Sequence, residues 1–242
     1  MTLYLSRLRL SRKPSAQALK AILNPADPGL RLDAHHRLLW AAFTDGPDRR
    51  RDFLWREDGP GAFLTLSARP PAPGDLFEAA DVKEFCPQLA PGDRLAFALR
   101  ANATRTRKTG RLTASGKEHK QHIDLVMDRL HSIPGQTGLG EGLVSERPAR
   151  RMRLAQEAGA DWLTRQGEAA GFRLIGARVE DYSVVSLPGY RGPRRDQPQF
   201  GILDMTGALE ITDPAAFLAR RARGFGRAKA FGCGLMLIRR AG

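Results

Sequence analysis

The sequence predicts an α+β protein made of two tandem βαββαβ units, the ferredoxin-like arrangement, over residues 1–89 and 90–242. Three observations predict it. Strand-like and helix-like patterns follow one another in the same order twice along the chain. Pro91-Gly92-Asp93 punctuates the point between the two series. The 242 residues and 42% hydrophobic content suffice for two cores of ordinary size. The halves share no evident sequence identity, so the repeat is one of architecture.

In the first half, Leu3–Leu10 reads as a strand, with Arg7 and Arg9 alternating against Leu8 and Leu10. Asp33 is the expected N-cap of a helix running to Phe43, with Leu39, Ala42 and Phe43 on its apolar side. Arg51–Glu57 and Ala62–Ala68 read as two strands across the Asp58-Gly-Pro-Gly61 turn. A short helix over Asp75–Ala80 and a strand over Val82–Phe85 complete the unit.

The second half repeats this order. Arg94–Ala103 alternates Leu95, Phe97 and Leu99 with smaller or polar residues and reads as a strand. Arg151–Ala170 reads as a helix carrying Leu154, Ala158, Trp162 and Leu163 near one face, and Phe172–Leu187 as extended chain. Phe200–Ile211 is expected to hold two short strands across a Met205-Thr-Gly207 turn. Pro214–Arg223 is the last helix and Gly234–Ile238 the last strand. Between strand and helix lies an insertion, residues 104–149. It opens with Arg105, Arg107, Lys108 and Arg111 and ends in Gly- and Pro-rich sequence. Its front is expected to be an RNA-contacting arm and its back a flexible loop.

Charge narrows the function. The chain carries 39 Lys+Arg against 26 Asp+Glu, a net charge of +13. Residues 1–89 hold 13 basic and 11 acidic residues, a net of +2, whereas residues 90–242 hold 26 and 15, a net of +11. Arginine dominates, and its planar fork suits phosphate. A merely soluble, Arg-rich surface is the alternative. Arg223–Gly234 concentrates four glycines with Arg223, Arg227 and Lys229 between a helix and a strand. Successive N–H groups in such a loop can form an anion-binding nest, and a plain structural turn is the competing explanation. The helix-loop-strand order is the reverse of a dinucleotide fingerprint, and Gly-Lys-Ser/Thr opening a helix is absent. Neither half shows the aromatic stacking signature of an RNA-recognition motif, so bound RNA need not lie on a sheet face.

Other classes are disfavoured. Cys86 and Cys233 are too few for a disulfide framework and lack metal-ligand spacing. His119 and His122, three apart, read as a polar helix face or loop rather than zinc ligands. No metal or cofactor is expected. Without an apolar run near the ~20 residues of a membrane span, or a signal-peptide core, the expected location is cytoplasmic.

Four segments occur together in order: Tyr4-Leu-Ser-Arg-Leu8, Arg51-Asp-Phe-Leu-Trp55, Phe97-Ala-Leu-Arg-Ala-Asn102, and Gly224-x-Gly-x-x-Lys229-x-x-Gly-x-Gly-Leu235. In this the chain resembles the CasE (Cse) family of CRISPR repeat-RNA endoribonucleases of type I-E systems, over nearly its whole length. The resemblance implies the tandem ferredoxin-like fold and partnership with repeat RNA stem-loops and other Cascade subunits. It implies a catalytic histidine on the first helix, here His36 in His36-Arg-Leu-Leu-Trp40, with His35 adjacent. Histidine suits metal-independent cleavage because its pKa permits it to take a 2′-OH proton or protonate a 5′-oxygen near neutrality. Asp33 as N-cap would put His36 in the first helical turn, where the positive helix end favours the neutral base. Some relatives have Tyr and Lys where this chain has Asp33 and Ala41, so either Lys229, Arg227 or His35 supplies the missing help or the enzyme is slow, as a single-turnover processing enzyme can be. The resemblance also implies a basic hairpin entering the RNA stem, matched here by Tyr190-Arg-Gly-Pro-Arg-Arg195, with Arg191, Arg194 and Arg195 as RNA contacts. Expected products are a 2′,3′-cyclic phosphate and a 5′-OH. The alternative is a non-catalytic RNA-hairpin-binding subunit of an interference complex.

Overall fold

The computed structural model describes residues 2–13, 18–43, 46, 51–112, 115–131, 147–187 and 199–241. In chain order the elements are β1 (Tyr4–Arg9), α1 (Lys20–Leu23), α2 (Pro28–Phe43), β2 (Phe53–Glu57), β3 (Ala62–Ser67), β4 (Asp81–Glu84), β5 (Arg94–Ala101), β6 (Thr104–Leu112), β7 (Glu118–Asp124), α3 (Leu125–His131), α4 (Arg147–Glu168), β8 (Phe172–Ser186), β9 (Gln199–Ile211), α5 (Pro214–Arg223), a 3-10 turn (Lys229–Phe231) and β10 (Met236–Arg240). Two four-stranded sheets form, ordered β2-β3-β1-β4 and β10-β5-β9-β8. Numbered within its own unit, each is a 4-1-3-2 sheet, the ferredoxin-like order expected. Among the described residues no helix is long and apolar enough to cross a membrane.

Alternation builds the strands. Leu95, Phe97, Leu99 and Ala101 of β5 turn inward onto Ala155, Ala158, Trp162 and Leu163 of α4 and Phe217 of α5. Each such Leu or Phe contributes about 2 kcal/mol by leaving water. The Asp213 side chain accepts from Ala216 N at 3.0 Å, and Pro214 occupies the first turn, so α5 starts where its sequence says.

Four expectations are corrected. Helix α2 begins at Pro28, with Asp27 Oδ1 accepting from Leu30 N at 2.8 Å. Asp27-Pro28 supplies both start signals, and Asp33 instead pairs with Arg37 one turn on, at 2.6 Å. His36 therefore sits in the third turn, away from the helix N-terminus. No helix forms over residues 75–80. That segment runs extended beside the end of β1, with Ser11 N donating to Leu76 O and Glu78 N to Arg9 O, both at 2.9 Å. Residues 205–207 make no turn, since β9 is one unbroken strand. A Cβ at Gly207 would lie 2.1 Å from Gly176 O, at an irregularity in β8, so this glycine serves close strand approach. The front of the insertion is an antiparallel hairpin, β6-β7, followed by α3, and α4 starts at Arg147. Residues 132–146, where the flexible loop was expected, lie outside the described residues.

The glycine loop joins the two sheets. Gly226 has φ +73° and its position would bring a Cβ to 2.6 Å from Asn102 O. Trp55 Nε1 of β2 donates to Ala230 O at 3.2 Å. Val185, Ile202 and Cys233 pack into the core of Leu8, Leu39, Phe53, Trp55 and Phe63. Behind the loop, Arg221 is buried, with Nε donating to Met236 O at 2.8 Å and its guanidinium 3.9 Å from the Phe85 ring centre.

Candidate active site and nucleic-acid interface

Two adjacent histidines on α2 meet different surroundings, because neighbours on a helix point about 100° apart. His35 has 0% exposure and packs edge-on to Phe63 (4.8 Å between centres) and Trp55 (6.2 Å). Its Nε2 lies 3.2 Å from Asn24 Oδ1. Burial, aided by Arg31, pushes its pKa down to about 4. It is a neutral core residue. His36 is half-buried and faces the 3-10 turn of the glycine loop, its ring 6.0 Å from that of Phe231. Trp40 Nε1 donates to its Nε2 at 3.2 Å. Burial lowers the His36 pKa, the charges of Arg51 and Arg37 add to this, and Asp33 opposes them. The ring is thus held neutral, as a base must be, by burial and cations rather than by a helix end.

Cations gather at the same seam. Lys229 opens the 3-10 turn. Its pKa is lowered by burial and then by the charges of Arg220, Arg51 and Arg223. Arg51 is thus coupled to both His36 and Lys229, and burial lowers its own pKa. Such mutual repulsion favours an anion among these groups.

A groove of about 590 Å³ runs from this seam to the hairpin, lined among others by His119, Lys120, His122, Phe200, Arg227 and Phe231. The rings of Phe200 and Phe231 stack at 5.5 Å between centres. Arg227 Nη1 donates to His122 Nε2 at 2.9 Å, and His122 Nδ1 lies 3.1 Å from Thr106 Oγ1. Desolvation, then Arg227 and Lys120, lower the His122 pKa. The neutral ring ties hairpin to glycine loop. His119 and His122 therefore belong to strand β7, not to a helix face, and among the described residues no three His, Cys, Asp or Glu are grouped to hold a metal ion.

The glycine loop is tied down from within. The N–H groups of Phe225 and Arg227 donate to Gly234 O and Asn102 O, and those of Phe231 and Gly234 to Ala228 O and Arg100 O, at 2.7–3.2 Å. Those four are committed to the fold, so side chains carry the loop's charge. Asn102 also donates through Nδ2 to Gly201 O at 2.7 Å, fixing the loop to β9.

Residues 3–240 match a family described as CRISPR associated protein. The chain belongs to this family. It is 28% identical over 242 residues to the CRISPR-associated endoribonuclease Cse3 of Thermus thermophilus, covering 90% of this chain and 97% of that relative. It is likewise 28% identical over 212 residues to the CRISPR system Cascade subunit CasE of Escherichia coli K12, covering 84% and 89%. A solved structure of Cse3 bound to 19 nt RNA is 25% identical with a TM-score of 0.60, covering 99% and 100% of the two chains. The fold is also that of Cas6e from Escherichia coli, at 24% identity, TM-score 0.52 and coverage of 98% and 100%.

In this CRISPR-associated protein the residues singled out from sequence fall into three groups. His36, Arg223, Arg227 and Lys229 come together around the seam. Arg105, Arg107, Lys108 and Arg111 are exposed on β6, where Arg105 pairs with Asp128 at 2.8 Å and Lys108 with Glu118 at 2.9 Å. Arg191, Arg194 and Arg195 lie outside the described residues. Sequence reasoning missed Arg51, Arg220, Lys120 and Phe231 as neighbours of the site. Arg51 and Phe231 stood inside the quoted segments, but spacing gave no sign that they face His36.

Proposed function

We propose that the protein is an endoribonuclease that cuts CRISPR precursor RNA at the base of the repeat stem-loop and serves in a Cascade-type complex. The observation that carries this reading is the placing of His36. It is a neutral imidazole at the seam where the glycine loop closes on α2, coupled to Arg51, which is coupled in turn to Lys229 of that loop. The names of the Cse3 and CasE relatives support it. His36 takes the proton of the 2′-hydroxyl as the 2′-oxygen bonds to phosphorus. The bond from phosphorus to the 5′-oxygen breaks, and that oxygen takes a proton from the imidazolium or water. The products are a 2′,3′-cyclic phosphate and a 5′-OH, and no step calls for a metal. Arg51 and Lys229 stabilise the charge that builds on the phosphoryl oxygens, in place of the lysine that Ala41 replaces. His35, buried against Phe63, takes no part. RNA follows the groove to the exposed cations of the hairpin, and Arg191, Arg194 and Arg195 stay RNA contacts on the family resemblance alone.

Single-turnover cleavage of the repeat hairpin in EDTA tests the assignment. His36→Ala should slow it roughly 10²-fold or more with hairpin binding retained, while Lys229→Ala and Arg51→Ala should each slow it about tenfold or more. Tight binding without cleavage by the wild type would make the chain a hairpin-binding subunit. Cleavage only with Mg²⁺, leaving a 5′-phosphate, would overturn the chemistry.

A further inference from the structure

His36 has a neighbour that fixes which of its nitrogens can act. Trp40 stands one turn further along α2, and its indole Nε1–H points at His36 Nε2, 3.2 Å away. An indole nitrogen donates and never accepts. Nε2 must therefore carry the lone pair, and the proton of the neutral ring sits on Nδ1. That nitrogen is buried and has no hydrogen-bond partner among the described residues, so nothing there competes for the choice. Trp40 is itself braced, edge-on to Phe53 at 5.5 Å and 84°. The Phe231 ring, 6.0 Å from the imidazole between centres, offers no polar atom to it.

We propose that Trp40 is the positioning residue of this site, holding His36 as the Nδ1-protonated base with the Nε2 lone pair presented to a donor, the place the RNA 2′-hydroxyl then takes. The proposal rests on the reading of His36 as the base. The indole and the hydroxyl are both donors, so the second replaces the first without a change of tautomer. In the protein free of RNA, an Nε2–H would face the indole N–H, so the indole keeps the resting ring neutral. The charged groups coupled to the ring are Asp33 and Arg37 from α2 and Arg51 from the approach to β2, while Lys229, on the 3-10 turn packed against α2, is coupled to Arg51. All four remain when Trp40 is changed, so a Trp40→Phe variant isolates the indole N–H.

Nitrogen-detected NMR of the full-length protein, free of RNA, tests the ground state. The wild type should show His36 as the Nδ1–H tautomer. Trp40→Phe should raise its titration midpoint by roughly half a unit to one unit, the size of one lost hydrogen bond to the neutral form. An Nε2–H tautomer in the wild type, or an unshifted midpoint in the variant, overturns the proposal. The pH profile of single-turnover cleavage tests the consequence. In Trp40→Phe the acidic limb should move upward by the same interval. The rate should then fall about 3–10-fold below pH 6 and stay near wild type at pH 8. A uniform loss at every pH marks a packing role and overturns positioning. The expected NMR result with no cleavage by the wild type instead overturns the assigned reaction and leaves the tautomer assignment standing.

Discussion

The two four-stranded sheets share one strand order but are covered differently. The C-terminal sheet has two helices, α4 of 22 residues and α5 of 10, and its core draws almost wholly on residues of its own unit. The N-terminal sheet has α2, the short α1 and an extended stretch that adds Leu76, Phe77 and Ala80. Its core is completed by Val185, Ile202 and Cys233, with Ala228 and Phe231 packed alongside. A unit that completes its core with a neighbour's loop gains a fixed seam. The histidine and the cations that meet it lie along that seam.

The comparison breaks most sharply at Gly226. Valine there must hold φ +73° and push into Asn102 O. The expected loss is about 3 kcal/mol of unfolding free energy, read by chemical denaturation, with cleavage reduced as the loop leaves His36. Gly74→Ala, in open space at an ordinary φ, should change stability by less than about 0.5 kcal/mol. Equal effects at the two glycines would mean that the seam is not held by close backbone approach.

His35 sharpens the contrast through pH. Its folded pKa of about 4 lies below the ordinary value of 6.5, so folding favours the neutral ring. The stability it secures is whole above pH 6.5 and falls away as pH drops toward about 4. The wild type should lose up to about 3 kcal/mol across that window beyond what His35→Gln loses over the same range. Parallel curves for the two proteins would show that His35 is not held neutral in the N-terminal core.

Smaller effects follow at the edges of the seam. Trp55→Phe removes the bond to Ala230 O and should cost about 1 kcal/mol in denaturation, with most of the ring packing kept. A change below about 0.2 kcal/mol would mean that this tie contributes nothing. On the exposed hairpin, removing Arg107 and Arg111 together should leave stability within about 0.5 kcal/mol. Filter binding of the repeat hairpin across a salt series should instead flatten by about 1.5 in log–log slope, from two phosphate contacts. An unchanged slope would assign those arginines to solvent.

Much of this was legible along the chain. β1 and β5 announce themselves by alternation, β2 and β3 by the Asp58-Gly-Pro-Gly61 turn between them, and α5 by the run that starts at Pro214. The misreadings have local causes. Gly207 looks like a turn but makes room for a strand irregularity. The stretch after Ala80 would follow a helix in a regular repeat, yet the preceding residues zip onto β1 through backbone bonds that any side chains could make. Asp33 resembles a cap, and Asp27-Pro28, one turn and a half earlier, is the stronger pair.

The sequence by itself determined the α+β class, the family, the basic bias of the second half and, through the family resemblance, His36 as the candidate of the histidine pair on the first helix. These depend on composition, periodicity and local order. Only the tertiary structure decided that His35 is core, that Trp40 donates to His36 Nε2, and that Arg51 is coupled to both His36 and Lys229. Burial and Coulomb coupling depend on distances between residues far apart along the chain, and the packing of the glycine loop onto α2 sets those distances.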